Sequence, residues 1–175
     1  MIIPEVCKRW ISLHRTHLQD PYEYGVDCWK DFKEIEPYLP ESVNSILDIG
    51  CGLAGIDIWL KQKYPEARLI LLDSDGDSWG AGWNQSMRPF TSRQAAESLL
   101  FANGVKVDEW KDVGTKEELQ AELVISLLSW GFHYPLDTYK VKGTCIADLR
   151  RNREPPRGEV IATTDKYSRC LFSLT

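Results

Sequence analysis

Asp48 and the three glycines that follow it are the residues best placed to do chemistry. Gly50, Gly52 and Gly55 follow a G-x-G-x-x-G pattern within Ile46-Leu47-Asp48-Ile49-Gly50-Cys51-Gly52-Leu53-Ala54-Gly55-Ile56-Asp57-Ile58-Trp59-Leu60. Such glycines permit a tight turn and let a ligand approach bare backbone. The spacing alone is shared by NAD and FAD proteins. Asp48 narrows the choice, because it stands at the carboxyl end of an apolar strand. A pyrophosphate there would meet a like charge, at a cost of about 4 kcal/mol at an effective dielectric of about 20. A ligand carrying a cation fits better. The alternatives are a dinucleotide and an ordinary strand-to-helix turn with a solvated Asp.

A second acid stands at a matching distance. Arg68-Leu69-Ile70-Leu71-Leu72-Asp73 reads as another buried strand, and Asp73 lies 18 residues past Gly55. A carboxylate there can accept hydrogen bonds from both hydroxyls of a ribose. Asp73, Asp75 and Asp77 alternate like the start of a calcium loop, but its twelfth position holds Asn84 where glutamate is required.

Asp48 to Gly55, taken with Asp73, resembles motif I of the class I S-adenosyl-L-methionine (SAM)-dependent methyltransferases. The resemblance implies SAM as cofactor, with Asp48 facing its ammonium end and Asp73 its ribose. It also implies an acid just beyond the third strand that accepts the adenine amino group, followed by a backbone N–H on a ring nitrogen. Asp112 and Val113 hold those places, with Asp108 second in line and a plain turn Asp the alternative. Cys51, Gly50, Gly52, Gly55, Ser74 and Leu128 complete the expected cofactor contacts.

The segment Ser129-Trp130-Gly131-Phe132-His133-Tyr134-Pro135 follows the fourth strand, read at 123–128. In the resembled family this position lies beside the transferred methyl. The Asn-Pro-Pro-Tyr type of sequence and the Pro-Cys pair of base-methylating enzymes are both absent. Trp130, Phe132 and Tyr134 are candidates to pack on an acceptor, joined by Tyr24 from an N-terminal lid. His133 titrates nearest neutrality and is the candidate general base for a hydroxyl, the alternative being a packed histidine that orders the loop. This segment also looks like that of small bacterial or phage-type methyltransferases, some labelled sugar O-methyltransferases. The reading is therefore O-methylation of a small molecule or sugar. The other readings are a SAM-binding regulatory subunit and a methyltransferase acting on nucleic acid or protein.

Several elements must position these residues. Residues 4–18 read as a helix with Val6, Trp10, Leu13 and His17 on one face. A second helix carries Trp29, Phe32, Ile35 and Tyr38, with Asp27 or a neighbour as its cap and Pro40 beyond its end. Residues 1–43 thus form a helical extension, and 44–175 a cofactor-binding core within one domain. His14 and His17 show no carboxylate partner, and no metal site is expected. The stretch 76–91 is a long loop whose Trp79, Trp83 and Phe90 are candidates to cover a ligand or to join a homo-oligomer. Thr91 with Gln94 makes a capping box for a helix ending near Gly104. Residues 105–110 read as the third strand, 115–120 as a short helix and 143–149 as the fifth strand. A helix of about two turns is expected between the fourth and fifth strands. The four arginines 150, 151, 153 and 157 read as a solvated loop. Residues 159–164 and 169–174 read as a hairpin. The expected fold is α/β: a three-layer, Rossmann-like, seven-stranded, mostly parallel sheet with an antiparallel last strand.

Bulk properties set the class. At 43% hydrophobic and 27% charged residues the chain is globular, and a net charge of −5 disfavours nucleic acid and anionic lipid. No apolar run is long enough for a membrane span, and Met1-Ile2-Ile3-Pro4-Glu5 is not the start of a signal peptide. Five cysteines, without a C-x-x-C pair, point to reduced thiols and a cytoplasmic protein.

Overall fold

Two apolar runs set the middle of the sheet. In the computed structural model, which describes residues 1–15, 17–74, 92–133, 135–153 and 156–175, Ser45–Ile49 (β1) and Arg68–Asp73 (β2) pair in parallel with Ile46 opposite Leu69. Both are buried on both faces, which is why they read as continuous apolar stretches. Glu109–Asp112 (β3) lies outside β2, Leu119–Ser126 (β4) lies on the other side of β1, and Val141–Arg150 (β5) follows. Gly158–Thr163 (β6) and Tyr167–Leu174 (β7) form a hairpin whose second strand slots antiparallel beside β5. The order is β3-β2-β1-β4-β5-β7-β6, the seven-stranded, mostly parallel arrangement expected. Strand order reverses between β1 and β4, so a crevice opens beyond their carboxyl ends.

Strand alternation divides the core. Ile46, Leu69, Leu71, Leu123, Ile125 and Ile146 pack with residues from Glu5–His14 (α1), Tyr24–Ile35 (α2), Gly55–Lys63 (α3) and Arg93–Ala102 (α4). On this face α2 packs on α3, α3 on α4 and α4 on α1. The opposite face carries Leu47, Ile49, Ile70, Leu72, Val124, Cys145 and Phe172, and buries them with Trp130 and Tyr139, with Leu136 and Val113 packed alongside. Among the described residues its cover is loop and one 3-10 turn, Leu136–Thr138, where about two turns of α-helix were expected.

Other boundaries also differ. Residues 115–120 are not a helix: β4 begins at Leu119, with Leu119 and Ala121 buried and Gln120 and Glu122 exposed. That alternation has the period of a strand, despite helix-favouring residue types. β3 starts at Glu109, and Asp112 ends the strand instead of lying in the turn after it. In α1 the buried stripe is Cys7 and Ile11, in line with Ile3 just before the helix, while Val6 and Leu13 are exposed. α4 is capped by Ser92, whose Oγ accepts from the Ala95 N–H at 3.1 Å; Thr91 and the loop 76–91 lie outside the described residues. α2 begins at Tyr24 without a side-chain cap. All five cysteines are free, and among the described residues no helix is long and apolar enough to cross a membrane.

Gly55 shows how the N-terminal extension docks. A β-carbon there would lie 2.5 Å from Cys28 Sγ and 2.6 Å from the Tyr24 hydroxyl, both on α2. The third glycine therefore serves helix–helix contact. Gly55→Ala should cost about 1–3 kcal/mol through overpacking. Chemical denaturation would show it, and Cys28→Ala in the same chain should restore part of the loss; an undiminished midpoint for Gly55→Ala would mean α2 simply shifts.

Candidate active site

The carboxyl ends of β1, β2 and β3 each present an acid. Asp48 is buried near the end of β1. Asp73 ends β2 and stands in register with Asp112, which ends β3. The glycine loop turns over them. Gly50 adopts φ 76° and donates its N–H to the Leu72 carbonyl at 2.6 Å. Gly52 adopts φ 58°, and a β-carbon there would meet nothing within 4 Å. Its bare face is thus open to a ligand, unlike that of Gly55.

Asp73 is held by the loop. Oδ2 accepts from the Gly52 N–H at 2.6 Å, and Oδ1 from the Ser74 N–H at 2.6 Å and the Ser74 hydroxyl at 3.2 Å. Burial raises its pKa to about 6 against the pull of these donors, so it is mainly ionised at neutral pH. Oδ2, with one donor, keeps a lone pair for a further one, and Oδ1 gains one if the Ser74 hydroxyl turns away. Burial, then the nearby carboxylates, push the Cys51 thiol far up, so it stays a thiol.

Asp112 is exposed, and its Oδ1 accepts from the Gly114 N–H at 2.7 Å, closing a turn. Val113 is half-buried and its carbonyl accepts from the Tyr139 hydroxyl at 3.1 Å. Asp108 sits at the other end of the sheet, where it accepts from the Leu69 N–H at 2.9 Å, so it is no competitor for Asp112.

Among the described residues, two non-glycine residues hold a left-handed backbone, Ala54 at φ 57° and Leu128 at φ 57°. Nothing in their types announced this. Ala54 precedes α3, and Leu128 follows β4, so both flank the crevice. Such conformations cost about 1–3 kcal/mol and persist only where the surroundings impose them. Leu128 is fixed by its N–H, which donates to Asp148 Oδ2 at 3.1 Å.

Beyond β4 the expected aromatic residues separate. Trp130 is fully buried, packs on Phe172, and donates Nε1–H to the Leu136 carbonyl at 3.1 Å. It belongs to the core and does not line an acceptor pocket, because the second face of the sheet needs a large apolar cover. Tyr24, expected in the lid, is also buried, against Gly55. Phe132 and His133 are half-buried and meet edge to face at 4.9 Å, with Arg150 over the Phe132 ring at 5.3 Å. Burial, and then the charge of Arg150, lower the His133 pKa, so its ring is neutral at physiological pH. Tyr134 lies outside the described residues. His17 has a carboxylate after all, Asp27 at 3.3 Å.

Behind this site lies a buried ion pair. Arg169 on β7 donates from Nε to Asp148 Oδ1 at 2.7 Å and from Nη2 to Asp148 Oδ2 at 3.0 Å. It also donates from Nη2 to Asp31 at 3.1 Å and from Nη1 to Glu34 at 2.5 Å, both on α2. This group links the strand under Leu128 to the extension over the glycine loop, and sequence reading missed it.

No protein-family model and no curated protein matches the chain. Solved structures do resemble it. The plantazolicin methyltransferase BpumL, solved with S-adenosylhomocysteine (SAH), superposes with a TM-score of 0.53 at 15% identity over 81% of this chain and 52% of its own. The SAM-dependent methyltransferase SibL gives 0.52 at 11% identity, over 88% of this chain and 58% of its own. The StiE O-MT gives 0.51 at 12% identity, over 84% and 53%. The chain thus spans little more than half the length of these proteins. The strand order, the glycine loop and these likenesses agree: this chain has the seven-stranded fold of the class I SAM-dependent methyltransferases.

Proposed function

We propose that the protein binds SAM and transfers its methyl group to a hydroxyl of a small molecule or sugar. One observation carries this reading: carboxylates at the ends of three neighbouring strands, Asp48, Asp73 and Asp112, beside a glycine with an open face. Their order suits an ammonium, a ribose and an adenine amino group in turn. SAM supplies an electrophilic methyl. The chain's part is to orient it and exclude water, which provides most of the rate in such a displacement. His133 would take the acceptor's proton at a ring nitrogen, and Phe132 would hold the ring edge-on.

Calorimetry tests the cofactor. SAH should bind and NAD should not. Asp73→Ala should weaken SAH by about 1.5–3 kcal/mol, the worth of hydrogen bonds to a charged group. Full-strength binding by that variant would remove the ribose role.

A second reading has its own support. Trp130 and Tyr24 are both spent on packing. This favours a SAM-binding partner subunit without its own acceptor site. A screen of hydroxyl acceptors with labelled SAM separates the two, since only the first reading yields methylated product.

A further inference from the structure

Asp57 is the buried polar group that the cofactor reading leaves unexplained. It lies in the first turn of α3 with none of its surface exposed, and neither carboxyl oxygen has a hydrogen-bond donor. A buried group left this way costs too much to be incidental. Strand alternation supplies the neighbour. Asp48 is two residues from Ile46 on β1, so it faces the helix-bearing side, where α3 packs.

We propose that Asp48 and Asp57 share one proton in the ligand-free crevice, and that the ammonium of the cofactor's amino-acid end displaces it to solvent. Two carboxyls can bond to one another only when one keeps its proton, and this gives Asp57 the partner it otherwise lacks. Burial pushes both groups upward, Asp57 to about 7, and the pairing raises Asp48 further while it draws Asp57 down. The surrounding groups agree. Asp73 on β2 and the Cys51 thiol in the loop add no positive charge. On α2, Tyr24 and Cys28 are neutral, and Arg15 behind them acts on that pair. Among the described residues, no cationic side chain contributes to the field at Asp48 or Asp57. An arriving ammonium would be the missing counter-charge, the pair would then carry two negative charges, and the proton would pass to water. This inference rests on the cofactor reading for its second half only.

SAH binding measured by calorimetry at pH 6.5 in phosphate and in Tris counts the protons released. The wild-type protein should release about one, and its affinity should fall about tenfold per pH unit below about pH 7. Asp57→Asn should release none, and adenosine, which lacks the ammonium, should release none from either protein. Equal release by the variant, or none from the wild-type protein with SAH bound, overturns the exchange. Urea denaturation without ligand tests the shared proton separately. A carboxyl whose pKa is raised on folding stabilises most at low pH, and that stability is lost as pH rises towards the folded value. Relative to Asp57→Asn, the wild-type unfolding constant should therefore rise by up to about tenfold per pH unit between about 4 and 7. Parallel curves overturn the shared proton. Failure of SAH to bind, with the slope present, would retire the cofactor reading and the exchange with it while upholding the shared proton.

Discussion

Turnover of a His133→Ala variant should fall by ~10²–10⁴, with SAH affinity unchanged, because a hydroxyl attacks poorly until its proton is removed. The imidazole is suited to that work. Its own backbone N–H donates to the Ser129 carbonyl at 2.7 Å, which fixes the turn, and Phe132 sets the ring orientation. Burial and Arg150 keep it unprotonated at neutral pH, with its pKa below the ordinary 6.5. The rate should therefore hold steady down through that value and fall only at lower pH. Arg150→Ala removes the cation that depresses the pKa, so its acid limb should move to higher pH. If His133 only packs the loop, His133→Ala loses melting temperature and normal turnover survives per folded molecule. That outcome would move the base role elsewhere. A hydroxyl acceptor identified with labelled SAM supplies the substrate for this measurement.

Arg169→Met should cost about 3–5 kcal/mol of stability, the range for removing one partner of a buried ion pair. The guanidinium is 1% exposed and Asp148 is wholly buried, so the variant leaves a carboxylate with a single backbone donor, Leu128 N–H. Urea denaturation at pH 7 measures the loss. It should shrink in acid, where the unpaired Asp148 takes up a proton, and Asp148→Leu in the same chain should recover part of it. A loss below about 1 kcal/mol would mean that water or a neighbouring side chain replaces the guanidinium. The same variant should weaken SAH, because Asp148 holds the left-handed Leu128 at the crevice wall.

What could be read from the chain followed burial pattern. β1 and β2 stood out because central parallel strands are apolar on both faces, and Asp48 and Asp73 stood out as acids ending such runs. β4 was cut short because its first half, Leu119 to Glu122, is wet on one side and rich in helix formers. The α1 stripe slipped by one position because Val6 and Leu13 mimic a second apolar face, while the buried one runs through a cysteine. Trp130 was misplaced for a different reason: an aromatic after a strand suits a pocket wall and a core lid equally, and which it becomes depends on the thin cover of the second face. Arg169 and Asp148 could not be paired from sequence, since antiparallel register between β5 and β7 is what brings them together. The three glycines matched one pattern yet serve a turn, an open face and a helix contact.

The same Arg169 bears on how the chain is born. It lies 135 residues after Glu34 and 138 after Asp31. At about 5–20 residues per second, the ribosome delivers it roughly 7–28 s after α2. Through that interval Asp31 and Glu34 lack the Arg169 guanidinium, and Asp148 adds a like charge nearby once β5 has emerged. β7 then brings the guanidinium that pairs with all three carboxylates. The ties that hold α2 over the glycine loop are thus complete only after β7 has emerged. Ribosome-bound chains stopped before β7 should keep Tyr24, Cys28 and Phe32 accessible to chaperones.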